Sequence, residues 1–196
     1  MRQTERTITL TDAVVAIAMT LLVLPLVELA PDVDGADLGG FFDENRYLFT
    51  SFVISFLVIY VFWRAHAVAF ARADEAGVEP RALRGLTVWW LLLIVFLPFP
   101  TAVSGHDSTT GAVMLYIGTM LVLSVLTSAM STTVDRATGS SRKPWVVWSS
   151  PAVFALALLV AAFSPGGGLA VLLLLLVVQL VQNRSAHEPV TAQQAL

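Results

Sequence analysis

Leu10-Thr11-Asp12-Ala13-Val14-Val15-Ala16-Ile17-Ala18-Met19-Thr20-Leu21-Leu22-Val23-Leu24-Pro25-Leu26-Val27 decides what kind of fold this chain adopts. About 18 to 20 such residues, rising 1.5 Å each, cross a hydrocarbon layer of about 30 Å as a helix. At about 100° per residue, Ala13, Ile17, Thr20, Leu21, Leu24 and Glu28 share one stripe roughly 100° wide. Asp12 points about 140° away from Ile17, so the carboxylate and the stripe face different neighbours. One face holds a buried ionisable group. The other presents bulky aliphatics, one Thr and an acid near the far end.

The rest of the chain has the same character. Its 196 residues are 57% hydrophobic and only 13% charged, with a mean hydropathy of +0.79. A soluble fold cannot bury so much apolar surface, so lipid must solvate part of it. A net charge of −3 with no basic tract gives no reason to expect nucleic acid or an acidic partner. The absence of cysteine excludes disulfides, thiolate metal sites, iron–sulfur clusters and cysteine nucleophiles. The first apolar segment is too long for a signal-peptide core and no small-residue cleavage site follows it, so it is read as retained.

Hydropathy marks six spans, at about 8–29, 47–70, 84–104, 110–131, 145–163 and 168–183. The segments between them are polar. Residues 31–45 carry Asp32, Asp34, Asp37, Asp43 and Glu44 among glycines, and 72–84 mixes both signs around Gly77 and Pro80. Leu97-Pro98-Phe99-Pro100-Thr101 breaks the third span near its outer end, and Pro25 frees the Leu21 carbonyl and kinks the first. The expectation is an all-α integral membrane protein: one six-helix domain over residues 1–183, then a polar cytoplasmic tail over 184–196.

Orientation follows from the basic residues. With the N-terminus in the cytoplasm, every one of the 11 Lys and Arg except Arg46 falls on the inner side. The acidic first loop then faces outward, and an even number of spans returns the tail to the cytoplasm. Six helices without an internal repeat leave little room for an aqueous pathway. A conduit would therefore be built by symmetry between copies.

The candidate residues each carry two readings. Thr11 or Asp12 caps the first helix while Arg6 sits among headgroups, or Arg6, Thr11 and Asp12 form a buried polar network with the second span. There Trp63-Arg64-Ala65-His66 lies at the same depth, with Trp63 and His66 on one helix face. A lone intramembrane His is more often a packing residue than a proton relay. Ile17, Leu21 and Leu24 would alone read as core or lipid-facing. Thr20 beside them and Glu28 beyond them open a second reading, because aliphatic rings gate pores by dewetting and an acidic ring at a mouth concentrates cations. Ser124, Thr127, Ser128 and Ser131 read as small-residue packing with back-bonded hydroxyls. No Ser/His/Asp set, no paired intramembrane carboxylates and no His-x-x-Glu-His spacing is present, so the chain is not read as an enzyme, and it needs no cofactor.

Arg6-Thr7-Ile8-Thr9-Leu10-Thr11-Asp12, followed by an apolar run containing Thr20 and Leu24-Pro25, resembles the first helix of a known family. That family is the endosomal and lysosomal potassium channel without a conventional filter, together with its bacterial homologues. Its signature is Arg-x-x-x-Phe-Ser-Asp; Leu10-Thr11 stands here in place of Phe-Ser, keeping the hydroxyl. Ser51-Phe52 through Trp63-Arg64-Ala65-His66 is similar to the family's second span, and Leu97-Pro98-Phe99-Pro100-Thr101 to the end of its third.

The resemblance implies a potassium-permeable homotetramer whose first helices line a central pore on the symmetry axis. By position it implies Ile17 as the narrow constriction, Leu21 and Leu24 as further hydrophobic layers, and Thr20 as the polar layer. Permeant K⁺ then passes near Ile17 and Thr20 with no fixed metal site. Arg6, Thr11 and Asp12 become a structural network with Trp63 and His66 as partners, and Glu28 attracts cations outside. The expected protein is a multi-pass channel of a bacterial plasma membrane, modestly selective for K⁺ over Na⁺, with lipid, K⁺ and its own copies as partners. The competing expectations are a proton-coupled secondary transporter using Asp12 and His66, and a non-conducting membrane scaffold.

Overall fold

The computed structural model describes residues 3–33, 35, 37–78, 81–106, 109–139, 143–164, 167 and 171. The first span is α1 (Gln3–Leu21) followed by the short α2 (Leu24–Glu28) and a 3₁₀ turn, Ala30–Asp32. The loop that follows contains α3 (Leu38–Glu44). Then come α4 (Arg46–Glu75), α5 (Arg81–Phe96), α6 (Pro98–His106), α7 (Thr110–Thr138) and α8 (Pro144–Phe163). Among the described residues, five stretches are long and apolar enough to cross a membrane: Glu5–Glu28, Arg46–Glu75, Arg81–His106, Thr110–Thr138 and Pro144–Phe163. The expected span at 168–183 and the tail from Arg184 lie, apart from Val171, outside the described residues.

Prolines set the breaks. Pro25 has no N–H to give the Leu21 carbonyl, and its ring would collide with that carbonyl in a continuous helix. The chain responds with a tight turn in which the Val23 N–H reaches the Thr20 carbonyl at 3.3 Å, and the helix restarts with Leu26 and Val27 both bonded to the Val23 carbonyl at 3.0 Å. Pro98 produces the α5–α6 break in the same way. The Leu97 N–H is shared between the carbonyls of Leu93 (3.0 Å) and Ile94 (3.3 Å), the latter being the acceptor that Pro98 cannot use. The expected linker at 31–45 contains α3, which has a local cause. The Asp37 carboxylate accepts from the Gly40 N–H at 2.9 Å, an N-cap that starts the helix.

Helices α4 and α7 run well past the inner limits expected for their spans, 70 and 131. Gly77 and Gly139, at φ 65° and 66°, end them in the left-handed conformation that glycine adopts without strain. The core lies where α4, α5 and α7 meet, with Trp90, Ile59, Ile94, Ile117, Met120 and Leu123 fully buried. On α5 the buried Leu83, Thr87, Trp90 and Ile94 recur at helical spacing, yet the opposite face is Val88, Trp89, Leu92 and Val95, all exposed. A helix apolar on both faces belongs in lipid. α1 packs on α4 and α5, α6 packs on α4 and α7, and α8 packs chiefly on α7. Where α6 meets α4, a Cβ on Gly105 would stand 2.9 Å from Leu48 Cδ2, so only glycine allows that approach without a shift of the leucine.

A candidate pore-lining helix

α1 meets the rest of the protein along one narrow face. Thr11, Val15, Ala18 and Leu22 are buried, at most 3% exposed, and their spacing of four, three and four residues keeps them on one side. About 140° around the helix, Ile17 is 59% exposed, and Ala13, Thr20, Leu21, Leu24 and Glu28 are exposed with it. Core packing within the chain is therefore not the reason for the spacing of the Ile17 stripe. Lipid, a second copy or a water-filled axis is.

The Thr20 hydroxyl donates to the Ile17 carbonyl at 2.7 Å. Spending its proton on the backbone turns the oxygen's lone pairs outward, so the stripe presents an acceptor directly above an aliphatic residue. Such an arrangement suits a cation and repels an anion. Glu28 stands exposed at the end of α2, beyond the Pro25 turn.

Of the expected polar network, the structure brings two members together. The Trp63 indole N–H donates to Asp12 Oδ1 at 2.7 Å, joining α1 to α4, but Asp12 is exposed rather than buried as expected, because its position lies off the packed face of α1. Thr11 is 1% exposed and donates to the Thr7 carbonyl at 2.9 Å, holding its own helix rather than a neighbour. Arg6 is exposed in the second turn of α1. His66 lies elsewhere, stacked between Phe70 (4.5 Å between ring centroids) and Trp90 (4.6 Å), with Nε2 3.4 Å from Thr87 Oγ1. Thr87 gives its proton to the Leu83 carbonyl at 2.9 Å, so its oxygen accepts and His66 Nε2 carries the hydrogen. The ring is packed as an aromatic.

Two polar features were not legible beforehand. Thr101 donates to the Leu97 carbonyl at 2.9 Å, which leaves its oxygen to accept from Ser55 at 2.9 Å. Ser55 in turn accepts from the Tyr116 hydroxyl at 2.8 Å. Counting one proton per hydroxyl thus orders a buried relay Tyr116, Ser55, Thr101, Leu97 that fastens α7, α4 and α6 together. At the inner end Arg72 on α4 pairs with Asp135 on α7. Ending the spans at 70 and 131 put both residues in linkers and hid the pair. Two serines of α7 bond across to α8, Ser124 to Ser150 at 3.1 Å and Ser128 to the Val147 carbonyl at 2.9 Å. Only Thr127 among these three is back-bonded, to the Leu123 carbonyl.

Lipid-facing apolar surface on several helices, a polar relay inside, and an exposed first-helix stripe define a multi-pass α-helical membrane protein. Residues 6–98 match the family model described as the endosomal/lysosomal potassium channel TMEM175. The chain is 32% identical over 105 residues to a curated protein of Streptomyces collinus named as a potassium channel. That alignment covers 52% of this chain and 48% of the relative, so the chain spans about half the length of the curated relative it matches. Over 93% of its length it superposes on 98% of a TMEM175 homologue from Chamaesiphon minutus, described as a lysosomal potassium-selective channel homologue, with a TM-score of 0.74 and 22% identity. Over residues 6–98, a little under half of its length, the chain is similar to the TMEM175 family, one of channels rather than enzymes, and it shares the fold of that bacterial homologue.

Proposed function

We propose that the chain forms a homotetrameric potassium channel of a bacterial plasma membrane, its four first helices lining a central pore. Ile17 is the tightest ring, Leu21 and Leu24 the further hydrophobic layers, and Thr20 the polar layer between them. The observation that carries this reading is the division of α1. Thr11, Val15, Ala18 and Leu22 are spent on packing, while Ile17, Thr20, Leu21 and Leu24 remain exposed on another face. The match of residues 6–98 to the family model and the potassium-channel relative support the choice of ion.

The mechanism is passive. A unit charge gains about 2.3 kcal/mol per 100 mV of membrane potential, so no chemical fuel is required. At a dry aliphatic ring the ion sheds part of its water, which favours K⁺ because it is less strongly hydrated than Na⁺. Selectivity from that source alone is modest. Glu28 and the acids of the outer loop raise the cation concentration at the mouth. Asp12, held by Trp63, and Arg6 and Thr11 belong to the inner anchorage of the pore helix rather than to the ion path. His66 contributes there by packing between Phe70 and Trp90.

The test is K⁺ against Na⁺ flux into proteoliposomes of purified protein, with empty liposomes beside them and Ile17→Asn as the variant. Non-saturating flux that favours K⁺, and a variant that leaks or loses its preference, is the expected result. Saturable, proton-coupled flux abolished by Asp12→Asn would instead mark a carrier. No flux from an intact oligomer would leave a scaffold.

A further inference from the structure

Arg64 has no part in the pore reading. It is half-buried and lines a cleft of about 340 Å³ between α4, α7 and α8, a size that admits a small ligand group. Ser124, Thr127, Ser128, Ser131 and Ser150 line the same cleft; the first three give their protons to Ser150, the Leu123 carbonyl and the Val147 carbonyl, and their oxygens make the floor polar. Arg64 is the only charged residue among the described residues of the lining, and no carboxylate stands among them. A guanidinium at this depth is costly without a counter-charge. Its planar fork matches the paired oxygens of a phosphate.

The location selects the source of that phosphate. Val68 and Val146, also in the lining, are 48% and 49% exposed, so the cleft opens on the apolar outer flank of the protein. Val146 lies in the first turn of α8, between the exposed Trp145 and Trp148, residues of the kind that settle at the headgroup level. The cleft therefore reaches from that level into the acyl region. The basic ends of the helices place it in the cytoplasmic half of the bilayer. We propose that it binds the phosphate headgroup of an anionic glycerophospholipid from the cytoplasmic leaflet, with Arg64 as counter-charge, the hydroxyls beneath it and an acyl chain against Val68 and Val146. This assignment is independent of ion conduction.

The experiment follows thermal unfolding of the purified full-length protein in detergent. It is titrated with dioctanoyl phosphatidylglycerol, dioctanoyl phosphatidylcholine or inorganic phosphate. Phosphatidylglycerol raises the midpoint, and the other two do not. In Arg64→Gln the half-saturating phosphatidylglycerol concentration rises about fivefold, the effect of one basic residue at an anionic membrane surface, whereas Arg81→Gln, an exposed arginine at the start of α5, behaves as wild type. Should Arg64→Gln not fold, Arg64→Lys is expected to weaken the effect partly, and Ser131→Leu, which fills the cleft, to abolish it. The proposal is overturned by equal stabilisation from phosphatidylcholine, by an equal response to inorganic phosphate, or by an unchanged titration in the Arg64 and Ser131 variants. Loss of the oligomer without any change in lipid dependence would also overturn it, making the cleft a contact between copies.

Discussion

Trp63 Nε1 donates to Asp12 Oδ1 at 2.7 Å, so the indole of one span holds the carboxylate of another at the inner end of the candidate pore helix. A carboxylate held this way is fixed in direction, and with it the rotation of α1 about its axis. Trp63→Phe removes the donor and keeps the ring. The expected loss is about 0.5–1.5 kcal/mol of stability, read as a lower unfolding midpoint. Combined with Asp12→Asn, the two losses should not add. Strict additivity in that double-mutant cycle would mean the bond contributes nothing.

A protein without cysteine is a clean background for labelling. Single cysteines at Ile17, Thr20, Leu21 and Leu24 are expected to react with a charged, membrane-impermeant thiol reagent, and cysteines at Val15, Ala18 and Leu22 to resist it. A stripe facing lipid would leave both sets unreactive, because a thiol reacts as the thiolate, which forms in water. The comparison thus separates a wet axis from a lipid flank with one reagent.

The buried relay from Tyr116 to the Leu97 carbonyl is ordered, so its members are not equivalent. Ser55→Ala breaks two bonds and strands the Tyr116 hydroxyl, at a cost of about 1–3 kcal/mol. Tyr116→Phe removes one donor and leaves Ser55 and Thr101 satisfied. It should cost less. Thermal melts of the two variants in the same detergent decide it, and equal losses would argue against the proton order derived above.

Arg72 and Asp135 are largely buried where α4 meets α7, with side chains 24% and 10% exposed. Removing Asp135 leaves the Arg72 guanidinium without this counter-ion, which in fully buried pairs costs about 3–5 kcal/mol and less in this partly exposed one. Replacing both, as Arg72→Met with Asp135→Leu, is expected to be milder than either single change. Chemical denaturation of the three variants would show this, and a double variant worse than both singles would contradict it.

The membrane class, the division of the first helix and both proline breaks were legible because they are local. Hydropathy is a sum over neighbours. The missing N–H of Pro25 or Pro98 acts only on the turn before it. The same locality explains the misread ends of α4 and α7: their last turns carry charged residues, so a hydropathy window stops at 70 and 131, while the helices continue to their glycine caps. Ser55, Thr101 and Tyr116 could not be joined in advance, because three hydroxyls on three spans carry no mark of shared depth and rotation. That His66 packs between Phe70 and Trp90 was hidden for the same reason. Trp63 and His66 share a face of α4 by spacing, but that face is wide enough for one to reach α1 and the other to lie between Phe70 and Trp90.

The sequence alone determined that this chain lives in lipid and that Ile17, Thr20, Leu21 and Leu24 travel together on one side of one helix. Those properties depend on composition and on a period of 3.6 residues, and both can be counted along a line. Only the tertiary structure decided which side of that helix packs. The answer depends on Ala18 and Val15 fitting against α4 and α5, a matter of shape between segments far apart in the chain. The same fit leaves the Ile17 stripe outside.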